Sequence, residues 1–177
     1  MPAWLSVPNL LTLVRLLLVP FIIRAILNGQ HLLALSVFGV AAVTDVLDGW
    51  AARHFGVSSK VGAYFDPIAD KVLMSGVFLA LALAKSVPWW FVGIVFGRDI
   101  YILLAVLILL MVSKKRDFPP SVWGKISTFV QIVTAVVVMA QIPGLEFSTA
   151  ILLPCVAFTV WSGVHYTWRG VQVVRAD

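Results

Sequence analysis

Four of the chain's eight acidic residues, Asp45, Asp48, Asp66 and Asp70, fall in one short stretch. Asp45 and Asp48 are three apart, and Gly62, Asp66 and Asp70 are each four apart. On helices, both spacings put side chains on one face. The connection between the two groups is short, so their segments should be neighbouring antiparallel helices, with the four carboxylates converging at one membrane boundary. Four convergent carboxylates repel unless cations sit among them. An all-oxygen donor set suits a hard ion, Mg²⁺ or Mn²⁺, rather than zinc. Two such ions about 4 Å apart form a clamp for phosphoryl oxygens. Gly49 and Ala52 lie one turn beyond Asp45 and Asp48. With Gly62 they keep side chains off the acidic face, so a bulky ligand can lie against backbone. Arg53 is placed to meet a phosphate through a bidentate contact.

The elements that must position these residues follow from composition. Of 177 residues, 61% are hydrophobic and 12% charged, with a mean hydropathy of +1.01. Soluble domains carry about a quarter charged residues. A water-soluble globule and a disordered chain are both excluded. The single cysteine, Cys155, lies in an apolar run, which excludes a disulfide scaffold and reads as a buried thiol. The net charge of +5 does not point to nucleic acid. Its cations sit beside apolar runs, where they set topology and face anionic headgroups.

Six apolar segments are expected, at roughly 10–27, 32–52, 61–84, 88–112, 122–142 and 147–168. Each is close to the ~20 residues that span a bilayer. The reading is one all-α domain over 1–177, an integral membrane protein with six transmembrane helices. Pro67 directly follows Asp66; a third helix that continues through it with a bend keeps Gly62 on the acidic face. Met1 to Asn9 carries no basic side chain, so no cleavable leader is read. Arg53, Lys60, Lys114, Lys115, Arg116, Arg169 and Arg175 fall on one side and Lys85 and Arg24 on the other. The positive-inside rule then puts both termini and the acidic cluster at the cytoplasmic face.

The run Asp45-Val-Leu-Asp48-Gly49-Trp-Ala-Ala52-Arg53, then Gly62, Asp66 and Asp70, matches the signature of the CDP-alcohol phosphatidyltransferases with every fixed position filled at its spacing. Asn9-Leu-Leu-Thr12-Leu-Val-Arg15 with Pro20 resembles the family's amino-terminal element, and the likeness takes in essentially the whole chain. The resemblance implies a reaction: a CDP-linked lipid, usually CDP-diacylglycerol, gives its phosphatidyl group to an alcohol, and CMP leaves. It implies that Asp45, Asp48 and Asp66 bind the metal pair with Asp70 close by, and that Asp70 is the general base. Gly49, Ala52, Arg53 and Gly62 would line the CDP site, with Thr12 and Arg15 bordering it. It also implies a homodimer, and a bacterial inner membrane is the expected location.

The same likeness points to Arg98 and Lys125 as acceptor-binding residues. Family members that make phosphatidylglycerophosphate usually have Arg-Glu where this chain has Arg98-Asp99, and a further basic residue about two turns on. Here Val106 to Leu110 is apolar. Their Gly-Lys-x-Lys-Thr is Gly124-Lys125-Ile-Ser127-Thr128 here. Members of the cardiolipin-forming group resemble the chain more closely. Two cations fewer favour phosphatidylglycerol, with one phosphodiester charge, over glycerol 3-phosphate, a phosphomonoester. Glycerol 3-phosphate is the alternative acceptor.

Plainer readings stand beside these. Membrane acids alone would also fit a divalent-cation transporter, although transporters more often place acids at midplane on broken helices. Arg98 and Asp99, as sequence neighbours on a helix, need not pair with each other. Lys125 is equally a snorkelling lysine. Arg15 and Lys71 are equally interfacial anchors or partners for the acidic cluster. His31, His54 and His165 fit no ligand spacing.

Overall fold

The computed structural model describes residues 7–55, 62–112, 122–141 and 149–175. Six helices follow one another: α1 (Val7–Leu27), α2 (His31–Phe55), α3 (Gly62–Leu83), α4 (Trp89–Val112), α5 (Val122–Ala140) and α6 (Thr149–Arg175). No strand occurs among the described residues. In hydrocarbon no water is available for backbone groups, so a spanning chain satisfies them within helices. Trp89–Ile108, Val122–Ala140 and Thr149–Gly170 are each long and apolar enough to cross a bilayer. α1, α2 and α3 have 21, 25 and 22 residues. At 1.5 Å per residue, each is also long enough for the ~30 Å core.

The helices match the six expected segments, with differences at the ends. α6 runs seven residues past the predicted 168, to Arg175, because its polar last turns continue the helix beyond the apolar stretch. α3 begins at Gly62 and continues through Pro67, so Gly62, Asp66 and Asp70 share a helix in the expected register.

Two helix ends close in the same way. After α1, Gln30 N–H donates to Ala25 C=O at 2.9 Å and Gly29 N–H to Ile26 C=O at 3.0 Å, with Gly29 at φ 69°. After α3, Ser86 N–H donates to Leu81 C=O at 2.8 Å and Lys85 N–H to Ala82 C=O at 3.0 Å. Both are Schellman closures, whose C′ residue is left-handed and is usually glycine. The second uses Lys85 at φ 60°.

The chain divides into two compact units, residues 1–86 with 139–141, and residues 87–138 with 142–177. In the first, α1 packs on both α2 and α3. Val19, Ile22 and Ile26 of α1, Ala34, Phe38 and Ala41 of α2, and Ala69, Leu73, Val77 and Leu81 of α3 are buried at helical spacing. A Cβ on Gly76 would lie 3.1 Å from Ile23 Cδ1 and 3.2 Å from Val19 Cγ1. A small residue there lets α3 approach α1 closely, as membrane helix interfaces require. In the second unit α4 packs on α6. Phe91, Val92 and Val95 are buried, while Trp89 and Trp90 are exposed at the start of α4, the position expected of interfacial anchors.

Candidate functional site

The backbone of the first unit carries the acidic pattern. Asp45, Asp48, Gly49, Ala52 and Arg53 lie in the last turns of α2, and Gly62 and Asp66 in the first turns of α3. The side chains of these seven residues lie outside the described part of the structure, so the site is built from their positions on the two helices. No group of three or more candidate metal ligands occurs among the described residues. The donor set expected from the sequence is all carboxylate, which fits a hard divalent ion.

Asp70 is described, and it meets Arg15. Arg15 Nη1 donates to Asp70 Oδ1 at 2.5 Å across the α1–α3 contact. The guanidinium side chain is 1% exposed and the carboxylate 49%. Arg15 thus sits inside the unit while Asp70 keeps a solvent-facing side. The cause is helical register. Thr12, Arg15, Val19 and Ile22 follow at intervals of three and four, so the face of α1 that buries Val19 and Ile22 also buries Thr12 and Arg15. A cation on that face needs a carboxylate from the opposing helix. Of the roles the sequence leaves open for Arg15, partner of the acidic cluster is the one with a contact in the structure. Lys71, next to Asp70, is exposed.

Arg98 and Lys125 belong to the second unit. Lys125 is exposed in the first turn of α5. Arg98 is held on two sides: Nη1 donates to Asp99 Oδ1 at 2.8 Å and Nη2 to Ser162 Oγ at 2.6 Å. The side chains of Arg98 and Asp99 are 10% and 17% exposed. Sequence neighbours point about 100° apart on a helix, yet the arginine is long enough to curl back onto Asp99. The ion pair that the sequence left open is therefore made. Arg98 Nε is buried with no hydrogen-bond partner among the described residues.

Ser162 is a contact that sequence reasoning missed. It belongs to a buried polar row. Ser127, Gln131 and Thr134 of α5 and Thr159 and Ser162 of α6 are all under 5% exposed. Gln131 Nε2 donates to Thr159 Oγ1 at 3.3 Å, and the Ser127 and Thr159 hydroxyls are 3.4 Å apart. The available signal was the recurrence of polar residues at intervals of three and four inside apolar spans. Nearer the end of α6, Tyr101 and Thr167 hydroxyls meet at 2.6 Å. Cys155 is a buried free thiol, as expected.

The family model for CDP-alcohol phosphatidyltransferase matches residues 5–161. A protein of Pseudomonas fluorescens named CDP-diacylglycerol–glycerol-3-phosphate 3-phosphatidyltransferase is 34% identical over 186 residues, covering 98% of this chain and 94% of its own. A "Probable phosphatidylglycerophosphate synthase" of Mycobacterium tuberculosis (strain CDC 1551 / Oshkosh) is 32% identical, covering 94% of this chain and 82% of its own. The cardiolipin synthase (CMP-forming) of Rattus norvegicus is 30% identical, covering 96% of this chain and 64% of its own.

Proposed function

The chain belongs to the CDP-alcohol phosphatidyltransferase family, and on that premise we propose that it transfers a phosphatidyl group from CDP-diacylglycerol to phosphatidylglycerol, giving cardiolipin and CMP. The reaction type rests on the aspartate pattern of α2 and α3. Asp45, Asp48 and Asp66, with Asp70 close by, would hold a pair of Mg²⁺ or Mn²⁺ ions, which, when bound, would neutralise the donor diphosphate. Gly49, Ala52 and Gly62 leave space at the backbone for the cytidine diphosphate. Arg53 contributes charge to the phosphates, and Thr12 borders the same site. Asp70 takes the proton from the acceptor hydroxyl. The hydroxyl oxygen forms the new bond to the phosphatidyl phosphorus. The diphosphate P–O bond breaks, and CMP leaves with its electron pair. Arg15 holds Asp70 through Oδ1, fixing the carboxylate's orientation.

The acceptor rests on one observation, the 2.8 Å pair between Arg98 and Asp99. Arg98 is the cation of α4, and Asp99 cancels its charge. A neutral pair suits the single phosphodiester charge of phosphatidylglycerol better than a phosphomonoester dianion, which would need uncancelled cations. A second reading, glycerol 3-phosphate as acceptor, is favoured by the 34% and 32% identities to relatives named for phosphatidylglycerophosphate formation. The proposal includes six membrane spans with both termini and the aspartates on the cytoplasmic side of a bacterial inner membrane, and a homodimer.

The test is CMP release by purified protein with CDP-diacylglycerol, Mg²⁺ or Mn²⁺, and each acceptor in turn, with identification of the lipid formed. Release with phosphatidylglycerol alone supports the proposal. Release with glycerol 3-phosphate alone selects the second reading. Metal uptake by proteoliposomes without CMP release would make the chain a transporter instead.

A further inference from the structure

The first unit has a second charged end. Arg15 meets Asp70, and Val19 and Ile23 meet the position of Gly76, so α1 and α3 run in the same direction. The turn after α1 and the residues after α3 therefore lie at the end away from the aspartates. Its cations are Arg24 and Lys85, both exposed. No acidic residue occurs from 24 to 34 or from 78 to 88. By the distribution of Lys and Arg this is the outer end, where cations are disfavoured. Lys85 also occupies a left-handed position normally given to glycine.

A cleft of about 420 Å³ opens at this end between α1 and α2. Leu18, Phe21, Leu33 and Val37 form its apolar wall, and Arg24 and Gln30 are its polar members. Arg24 has no ion-pair or hydrogen-bond partner for its side chain among the described residues, and no cap requires it. Three of the last four carbonyls of α1, those of Arg24, Ala25 and Ile26, already accept from Asn28, Gln30 and Gly29. Among the described residues the guanidinium is thus left without an anion, open to one supplied by a ligand.

We propose that this cleft binds an anionic glycerophospholipid of the outer leaflet, with its phosphate on Arg24 and the Gln30 amide and an acyl chain along Leu18, Phe21, Leu33 and Val37. Two features select this occupant. A guanidinium fork pairs with a phosphate diester, and neither 24–34 nor 78–88 holds an acid to compete for it. The apolar wall excludes free inorganic phosphate, which gains nothing from Leu18 or Phe21, and favours a ligand with a hydrocarbon tail. A zwitterionic lipid fills the wall equally well but adds a cation next to Arg24. The site lies at the end of the unit away from the aspartates, so it is a separate binding site from the one used for transfer. It rests on the membrane-spanning reading and not on the acceptor.

The experiment places a fluorophore beside the cleft at Leu32→Cys, an exposed position that does not line it, in a Cys155→Ser background, reconstitutes the whole chain in phosphatidylcholine vesicles, and titrates spin-labelled phosphatidylglycerol or spin-labelled phosphatidylcholine as quencher. A second label at Leu104→Cys, an exposed position of α4, reports on ordinary surrounding lipid. The expected result is about fivefold preferential quenching by phosphatidylglycerol at position 32, the size one basic group gives at a membrane surface. The preference disappears in Arg24→Gln, persists in Arg24→Lys, and is absent at position 104. Equal quenching by both lipids at position 32 overturns the proposal. So does a preference unchanged by Arg24→Gln, or one of the same size at position 104. Loss of the preference on adding inorganic phosphate would make the site one for a small anion, which also overturns it. No turnover is needed, so failure of the transferase reading leaves this result unaffected.

Discussion

Arg15 and Asp70 are 55 residues apart, and Arg15 Nη1 donates to Asp70 Oδ1 across the α1–α3 contact. The two members differ in environment: the arginine side chain is 1% exposed and the aspartate 49%. This asymmetry decides what removing either one does. Asp70→Asn takes the counter-charge from a buried cation and should cost about 3 kcal/mol, the low end for a broken buried pair. Arg15→Met removes the buried charge itself and leaves a carboxylate that water still reaches, so its cost should be about 1 kcal/mol. Thermal unfolding in one detergent checks the order. Equal losses would show that the exposed side of Asp70 carries no weight.

The two variants should differ in chemistry as well. Asp70→Asn should lower CMP release by at least about a thousandfold while CDP-diacylglycerol still binds, since the proton acceptor is lost. Arg15→Lys should keep part of the activity through a single-point contact, and Arg15→Met should lose about a hundredfold. Donor binding by equilibrium dialysis, measured beside turnover, separates these effects. If Asp70→Asn also abolishes donor binding, Asp70 acts first as a metal ligand.

Asp99→Asn leaves Arg98 with its hydrogen bond to Ser162 but without a cancelling charge. The ratio of kcat/KM for glycerol 3-phosphate to that for phosphatidylglycerol should rise about tenfold, worth about 1.4 kcal/mol. An unchanged ratio would remove the Arg98–Asp99 pair from acceptor choice. Ser162→Ala, which frees Arg98 Nη2, should raise the acceptor KM severalfold and leave the donor KM alone, and Ser162→Thr should restore it.

Gly76 tests the α1–α3 approach. Gly76→Ala puts a methyl against the movable tip of Ile23 and the stiff, β-branched Val19, at 3.1 and 3.2 Å, and should cost about 1 kcal/mol. Gly76→Leu cannot be absorbed by those side chains. It should push α3 from α1, part Arg15 from Asp70, and reduce activity to near that of Arg15→Met. Activity and melting temperature of both variants check this together.

Lys85→Gly should stabilise the protein by about 0.5 kcal/mol. Relief of a left-handed non-glycine residue, about 1–2 kcal/mol, exceeds the added chain entropy of glycine. Chemical denaturation or thermal melting of the variant measures it. A destabilised variant would mean that the Lys85 side chain makes a stabilising contact larger than the strain it carries.

The six helices follow from the sequence alone, and so do their limits to within about three residues, except the end of α6. So does the placing of Gly62, Asp66 and Asp70 at four-residue intervals on one of them. These are local properties. Apolar periodicity, turn residues such as Gly29, and the cost of leaving backbone groups unsatisfied in hydrocarbon act within a few residues of each position. Family membership was legible for the same reason, because its signature is a spacing along two adjacent helices. Tertiary structure decided the partners. Arg15 could have faced lipid headgroups, donor phosphate or an acid; the register of α1 against α3 buried it and supplied Asp70. Arg98 could have stayed apart from Asp99; the approach of α6 brought Ser162, 64 residues away, and fixed the guanidinium between the two. The cleft beside Arg24 likewise exists only once α1 and α2 lie side by side. A side chain's type states what kind of partner it needs, and the packing of helix faces, a many-body choice, determines which partner it receives.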